Sequence, residues 1–129
     1  MRGQAQTAER AALSSTVRHH VLPLAHFLEG ADLLAYAHVP ESARFTGRLH
    51  LYSGSERVGR VPNLAICRPH DEPSLMLLHC DESWDIIGVQ AWNAPGVEPI
   101  KTVEAMKAQA ERYYEGLIAS WKEVPSGDA

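Results

Sequence analysis

The sequence predicts an α+β fold, with an N-terminal helix kinked or split at Pro23, an antiparallel sheet of roughly four to five short strands, and a C-terminal helix packed on the sheet. Three observations lead there. Apolar residues recur at helical spacing near both ends of the chain. The period changes to two from Ala43 onward. Two apolar runs, Leu75–Leu78 and Ile86–Val89, flank a short acidic turn, and nothing else in the chain is so hydrophobic or so clearly patterned.

The 129 residues suit one domain, spanning 1–129, with residues 1–6 and 125–129 expected to be flexible tails. Thr7 can cap the first helix, with Glu9 in its first turn. Leu13, Val17, Val21, Leu24 and Leu28 then form an apolar stripe that Pro23 interrupts. Gly30 is a plausible stop. The short apolar segment Ala31–His38 reads as a second helical turn or an extended link ending at Pro40.

In the middle of the chain, Leu49 and Leu51 alternate with Arg48, His50 and Tyr52. Ser53-Gly54-Ser55-Glu56 is a turn, Arg57–Val61 a return strand, and Leu64–Cys67 a third strand. The central hairpin follows. With Asp81-Glu82-Ser83 as its loop, Cys80 faces Trp84, and Leu78, Leu77, Met76 and Leu75 face Ile86, Ile87, Gly88 and Val89. Both faces of this hairpin carry large side chains, so it should be covered on both sides, by helices or by a second copy of the chain in a homodimer. Thr102 caps the last helix. Its stripe is Val103, Met106, Ala110, Tyr113 and Leu117, continued by Trp121, and the helix either stops at Gly116 or runs through it.

Composition excludes several classes. The apolar fraction of 45% and charged fraction of 22% are those of a globular chain. No apolar run reaches membrane-spanning length and no secretory signal pattern opens the sequence, which points to a cytoplasmic protein with no membrane association. The net charge of −4 is unevenly spread. Residues 41–70 carry Arg44, Arg48, Arg57, Arg60 and Arg68 against two acids, whereas residues 71–129 carry eleven acids against four bases.

Site motifs are sparse. Cys67, His70, His79 and Cys80 are zinc-type residues without zinc spacing, and His79 and Cys80 are adjacent on a strand, so they point to opposite faces. That geometry also separates Cys80 from His79 as a nucleophile–base pair. His19 and His26 lie seven apart, not at the three or four that a helical metal pair prefers. Asp81, Glu82 and Asp85 lack a calcium-loop pattern, and Gly54 and Gly59 lack a phosphate-loop pattern. No metal or other cofactor is therefore expected.

What remains is the hairpin tip. In the register above, His79 and Asp85 are cross-strand neighbours beside Asp81 and Glu82, so His79 should titrate near neutral pH. Trp92, at a strand end beside a Pro/Gly loop, is the tryptophan expected to be exposed. These observations favour a small non-enzymatic protein-interaction module of inhibitor, immunity or adaptor type, binding another protein through His79, Asp81, Glu82, Asp85 and Trp92. A small-molecule-binding protein or enzyme is the alternative, with a pocket lined by Trp84, Trp92, Tyr113 and histidines of the first helix. The third reading is a nucleic-acid accessory protein using Arg48, Arg57 and Arg60, which the overall acidity disfavours.

Overall fold

In the computed structural model, which describes residues 22–125, extended structure dominates. The chain runs through β1 (Leu22–Pro23), a single helical turn α1 (Leu24–Phe27), β2 (Ala31–His38), β3 (Arg44–Phe45), β4 (Tyr52–Ser53) and β5 (Glu56–Arg57). It continues through β6 (Asn63–Pro69), β7 (Met76–Cys80), β8 (Asp85–Ala91), α2 (Val103–Glu111), β9 (Tyr114–Glu115), a 3₁₀ turn at Ile118–Ser120 and β10 (Trp121–Glu123). The main sheet is antiparallel with six strands in the order β1-β8-β7-β6-β2-β10, and β3/β9 and β4/β5 form two small ladders.

The α+β expectation is thus overturned. Ten strands are present among the described residues, and α2 is the one helix longer than a turn. Most of the expected N-terminal helix falls on residues 1–21, outside the described residues. Within them, Pro23 has φ −61° and ψ 141°, pairs with Asp85, and leads into only four helical residues. Of the two readings of Ala31–His38, a helical turn or an extended link, the structure takes the extended one: although its alanines and leucines are good helix formers, it is an eight-residue strand held between β6 and β10. Pairing and packing decide it: the strand is hydrogen-bonded on both edges, and Ala35 and Ala37 are almost completely buried in the cluster that contains Met106 and Ala110 of α2.

Alternation along the strands divides the core in two. Leu64, Ile66 and Leu77 belong to one cluster, with Met106 and Ala110 of α2 and with Leu49, Val58 and Val61 of the segment between β2 and β6. Ala65, Cys67, Leu78 and Cys80 belong to the other, packed by Leu24, Phe27, Leu28, Tyr36 and Trp84. Leu77 and Leu78 are thus both fully buried and β7 is covered on both faces, whereas Val89 of β8, which pairs with Leu78, stays exposed.

Residues 39–62 form a flap over the α2 face. Its base is closed by the Val39 amide, which donates to the Pro62 carbonyl at 2.8 Å. It is fastened to the C-terminal region through the β3/β9 ladder, and the Val61 amide donates to Tyr114 Oη at 3.0 Å. The expected strands here are mostly irregular: Leu49 is buried and Leu51 half-buried, but only Tyr52–Ser53 and Glu56–Arg57 pair, around Gly54 at φ 63°. Gly88 of β8 makes room for this flap, because a Cβ there would stand 2.6 Å from Leu51 Cδ2.

Helix α2 begins where expected, with Thr102 Oγ1 accepting from the Ala105 amide at 3.1 Å. It stops at Glu111, before Gly116. The Glu111 carboxylate accepts from the Gly116 amide at 2.7 Å, and Gly116 adopts φ 97°. Trp121 consequently extends β10 opposite Ala37 and does not continue the helical stripe.

Candidate functional site

The hairpin between β7 and β8 turns through Glu82, Ser83 and Trp84, one residue later than the sequence suggests. The Asp81 amide donates to the Asp85 carbonyl at 2.9 Å, which closes a three-residue loop. Asp81 sets this frame. Its Oδ1 accepts from the Ser83 amide at 2.9 Å and the Asp85 amide at 3.0 Å. Ile87 is then left as an extra residue between the pairs Cys80↔Ile86 and His79↔Gly88, and farther along Leu78 faces Val89. The expected register is therefore corrected at every position, and His79 is not a neighbour of Asp85.

Position 84 falls in the left-handed region, and a tryptophan occupies it at φ 63°, the one non-glycine with positive φ among the described residues. A bulky L-residue in that region is strained by roughly 1–2 kcal/mol. The surroundings over-determine it. The Trp84 amide donates to the Asp81 carbonyl at 3.0 Å, its carbonyl accepts from the Leu24 amide at 3.0 Å, and Asn63 Nδ2 also donates to the Asp81 carbonyl at 3.0 Å. Strain held this firmly is a hallmark of positions whose side chain must be presented in a set direction.

The indole forms one wall of an apolar pocket. Leu24, Leu33, Tyr36, His38 and Trp84 line a cavity of about 310 Å³ on the face opposite α2. The Tyr36 ring stands edge-on to the indole, with centroids 5.9 Å apart and planes at 82°. The His38 ring lies 5.7 Å away at 62°. A bulge in β2 between Leu33 and Ala35 places Leu33, Tyr36 and His38 along one face, although Leu33 and Tyr36 are not two residues apart. A second hollow of about 320 Å³ lies near β8 and the β4/β5 hairpin, lined in part by Phe27, Tyr52 and Val89.

The acids of the tip divide by role. Asp81 is committed to the turn, Glu82 is exposed, and Asp85 is half-buried beside Pro23. His79 does not join them. It is fully buried on the α2 face, where Nε2 donates to Gln90 Oε1 at 2.8 Å. Gln90 Nε2 and Gln109 Nε2 in turn donate to Tyr113 Oη at 3.1 Å and 2.6 Å. Nδ1 of His79 has no hydrogen-bond partner. Burial pushes the imidazole down to about 4, only partly offset by the Gln90 bond, so the expected titration near neutral pH is overturned. Burial likewise pushes the Cys67 and Cys80 thiols up to about 12, and both are free thiols. A thiol so raised is a poor nucleophile.

The arginine surface is largely occupied by the fold itself. Arg57 donates to the Leu49 carbonyl at 2.9 Å and 3.1 Å and to the Gly47 carbonyl at 2.8 Å. Arg60 donates to the Ala43 and Pro40 carbonyls, each at 2.6 Å. These two side chains staple the flap. Arg48 is exposed. Trp92 is half-buried against the α2-side core, not displayed at the surface, and with Tyr113 it lies away from the Trp84 pocket. Among the described residues no group of three or more His, Cys, Asp or Glu side chains could hold a metal ion, and no helix is long and apolar enough to cross a membrane.

Sequence reasoning missed Leu24, Leu33, Tyr36 and His38 as pocket residues. Leu33, Tyr36 and His38 reach Trp84 through the pairing of β2 into the sheet and the β2 bulge, and Leu24 through the pairing of β1 with β8 and its amide bond to the Trp84 carbonyl; no local pattern announces any of these. Comparison of the chain with protein-family models, with curated proteins and with solved structures finds no match in any of the three.

Proposed function

We propose that this chain is a non-catalytic recognition domain that binds another protein through the tip of the β7–β8 hairpin. The observation that carries this reading is Trp84: a large aromatic side chain held in a strained backbone conformation at the wall of an open apolar pocket, with acids on either side of it in sequence. Aromatic residues presented on a rigid frame are the usual anchors of protein interfaces. The quieted thiols and the buried, neutral His79 favour binding over covalent or acid–base chemistry at the hairpin. Free, buried thiols also suit the cytoplasm, where we place the protein.

A second reading, a small-molecule binder, rests on the same pocket, whose volume of about 310 Å³ is at the lower end of ligand sites. Affinity capture from native lysate separates the two. Trp84→Gly and Glu82→Lys leave the Asp81 turn intact, and each is expected to lose at least one protein that the wild-type chain retains. Identical protein lists from all three baits would overturn the interaction reading.

A further inference from the structure

We propose that the Trp84 pocket receives an arginine side chain of the partner protein, an assignment that rests on the recognition reading above. Three steep-angled rings, Trp84, Tyr36 and His38, border the cavity, and Leu24 and Leu33 complete its wall. Aromatic faces attract cations, and among protein cations the guanidinium is the one that is planar, weakly hydrated and able to stack. Its methylene stem has the apolar character to lie along Leu24 and Leu33.

Charge points the same way. The turn that carries Trp84 holds Asp81, Glu82 and Asp85 within five consecutive residues. Asp81 Oδ1 accepts from the Ser83 and Asp85 amides and Asp85 is half-buried opposite Pro23, so Glu82, exposed and two residues before Trp84, is the carboxylate that the turn presents to solvent. Lys122 stands opposite Tyr36 on β10 and opposes this field, but the carboxylates at the turn outnumber it. A lysine ammonium would also feel the field. It is more strongly hydrated and cannot stack, so the apolar, aromatic lining selects against it. The β2 bulge has a purpose in this arrangement: without it, Leu33 and Tyr36 would project to opposite faces and the pocket would lack a wall.

The test is an NMR titration of the isotope-labelled full chain with acetyl-Gly-Arg-Gly-amide and with its citrulline counterpart, which keeps the shape and removes the charge. The signal followed is the Trp84 indole N–H, assigned with Trp84→Phe. The arginine peptide is expected to shift this signal, to bind about tenfold or more tightly than citrulline, and to weaken in high salt and in Glu82→Gln. In Trp84→Gly, whose turn is relieved of strain, the peptide-induced shifts at Tyr36 should vanish while the rest of the spectrum stays folded. Equal binding of the two peptides, shifts centred on Trp92 or Trp121, or no shift up to about 50 mM peptide, some fiftyfold weaker than a millimolar contact, would overturn the proposal. Arginine selectivity together with lysate captures that are insensitive to Trp84 would refute the recognition reading alone. Captures that require Trp84, without selectivity for arginine, would refute only this assignment.

Discussion

On the α2 face of the sheet, Leu64, Ile66 and Leu77 are fully buried beneath Met106, Ala110 and the flap, and even the polar members, His79, Gln90, Tyr113 and Gln109, are tied into one hydrogen-bonded chain. On the opposite face the core is thinner. Cys67, Leu78 and Cys80 are buried, but Leu24, Leu33, Tyr36 and Trp84 remain part-exposed around a cavity, and the backbone at Trp84 is strained. One face has the dense packing that stabilises a small fold, and the other carries a locally unfavourable conformation that the first can sustain. Stability here and recognition there are separable, and mutations on the two faces should show it.

The largest separation is expected from the core. Leu77→Ala removes a fully buried side chain on the α2 face and should cost about 2–5 kcal/mol in urea unfolding, with little effect on the tip once the protein is folded. A loss below about 1 kcal/mol would mean that this face can collapse around the gap and is not the stabilising one.

The next test uses pH. His79 is pushed down to about 4 in the folded chain, against an ordinary value of 6.5 when unfolded. Between those values the unfolded chain binds the extra proton, so the stability linked to neutral His79 is complete above 6.5 and is lost as pH falls toward 4. The loss should be roughly 3 kcal/mol across that window. Unfolding free energies of the wild type and of His79→Gln, followed from neutral to acidic pH, isolate it. The wild type should fall more steeply, and parallel profiles would show that His79 is not held neutral.

The contrast also explains what the sequence made legible. The two apolar runs of the hairpin, the Thr102 cap, the Val103, Met106 and Ala110 stripe and the turn after Ser53 are written in local patterns. The segment Ala31–His38 is written there only as a choice between a helical turn and an extended link, because the pairing with β6 and β10 that decides it is not local. The hairpin's existence was readable but its register was not: an Asp81 side chain that fixes the turn and a bulge at Ile87 shift the partners. His79 looked like a surface group because its partners, Gln90, Tyr113 and Gln109, lie on other elements. Arg57 and Arg60 looked like a free basic patch because the carbonyls they serve are eight to twenty residues away. The acids of the tip were found from sequence. The rings that make the pocket beside them were not.

The claim that the tip is strained for display is tested most directly by comparing Trp84→Gly with Trp84→Ala in equilibrium urea unfolding. Both variants lose the indole and its packing against Tyr36 and His38; alanine is penalised at φ 63°, and glycine by the greater freedom of its unfolded chain, the smaller of the two effects. The glycine variant is expected to be the more stable by about 1 kcal/mol, because it alone adopts the left-handed region without penalty. An alanine variant as stable as the glycine variant, or more so, would contradict the account.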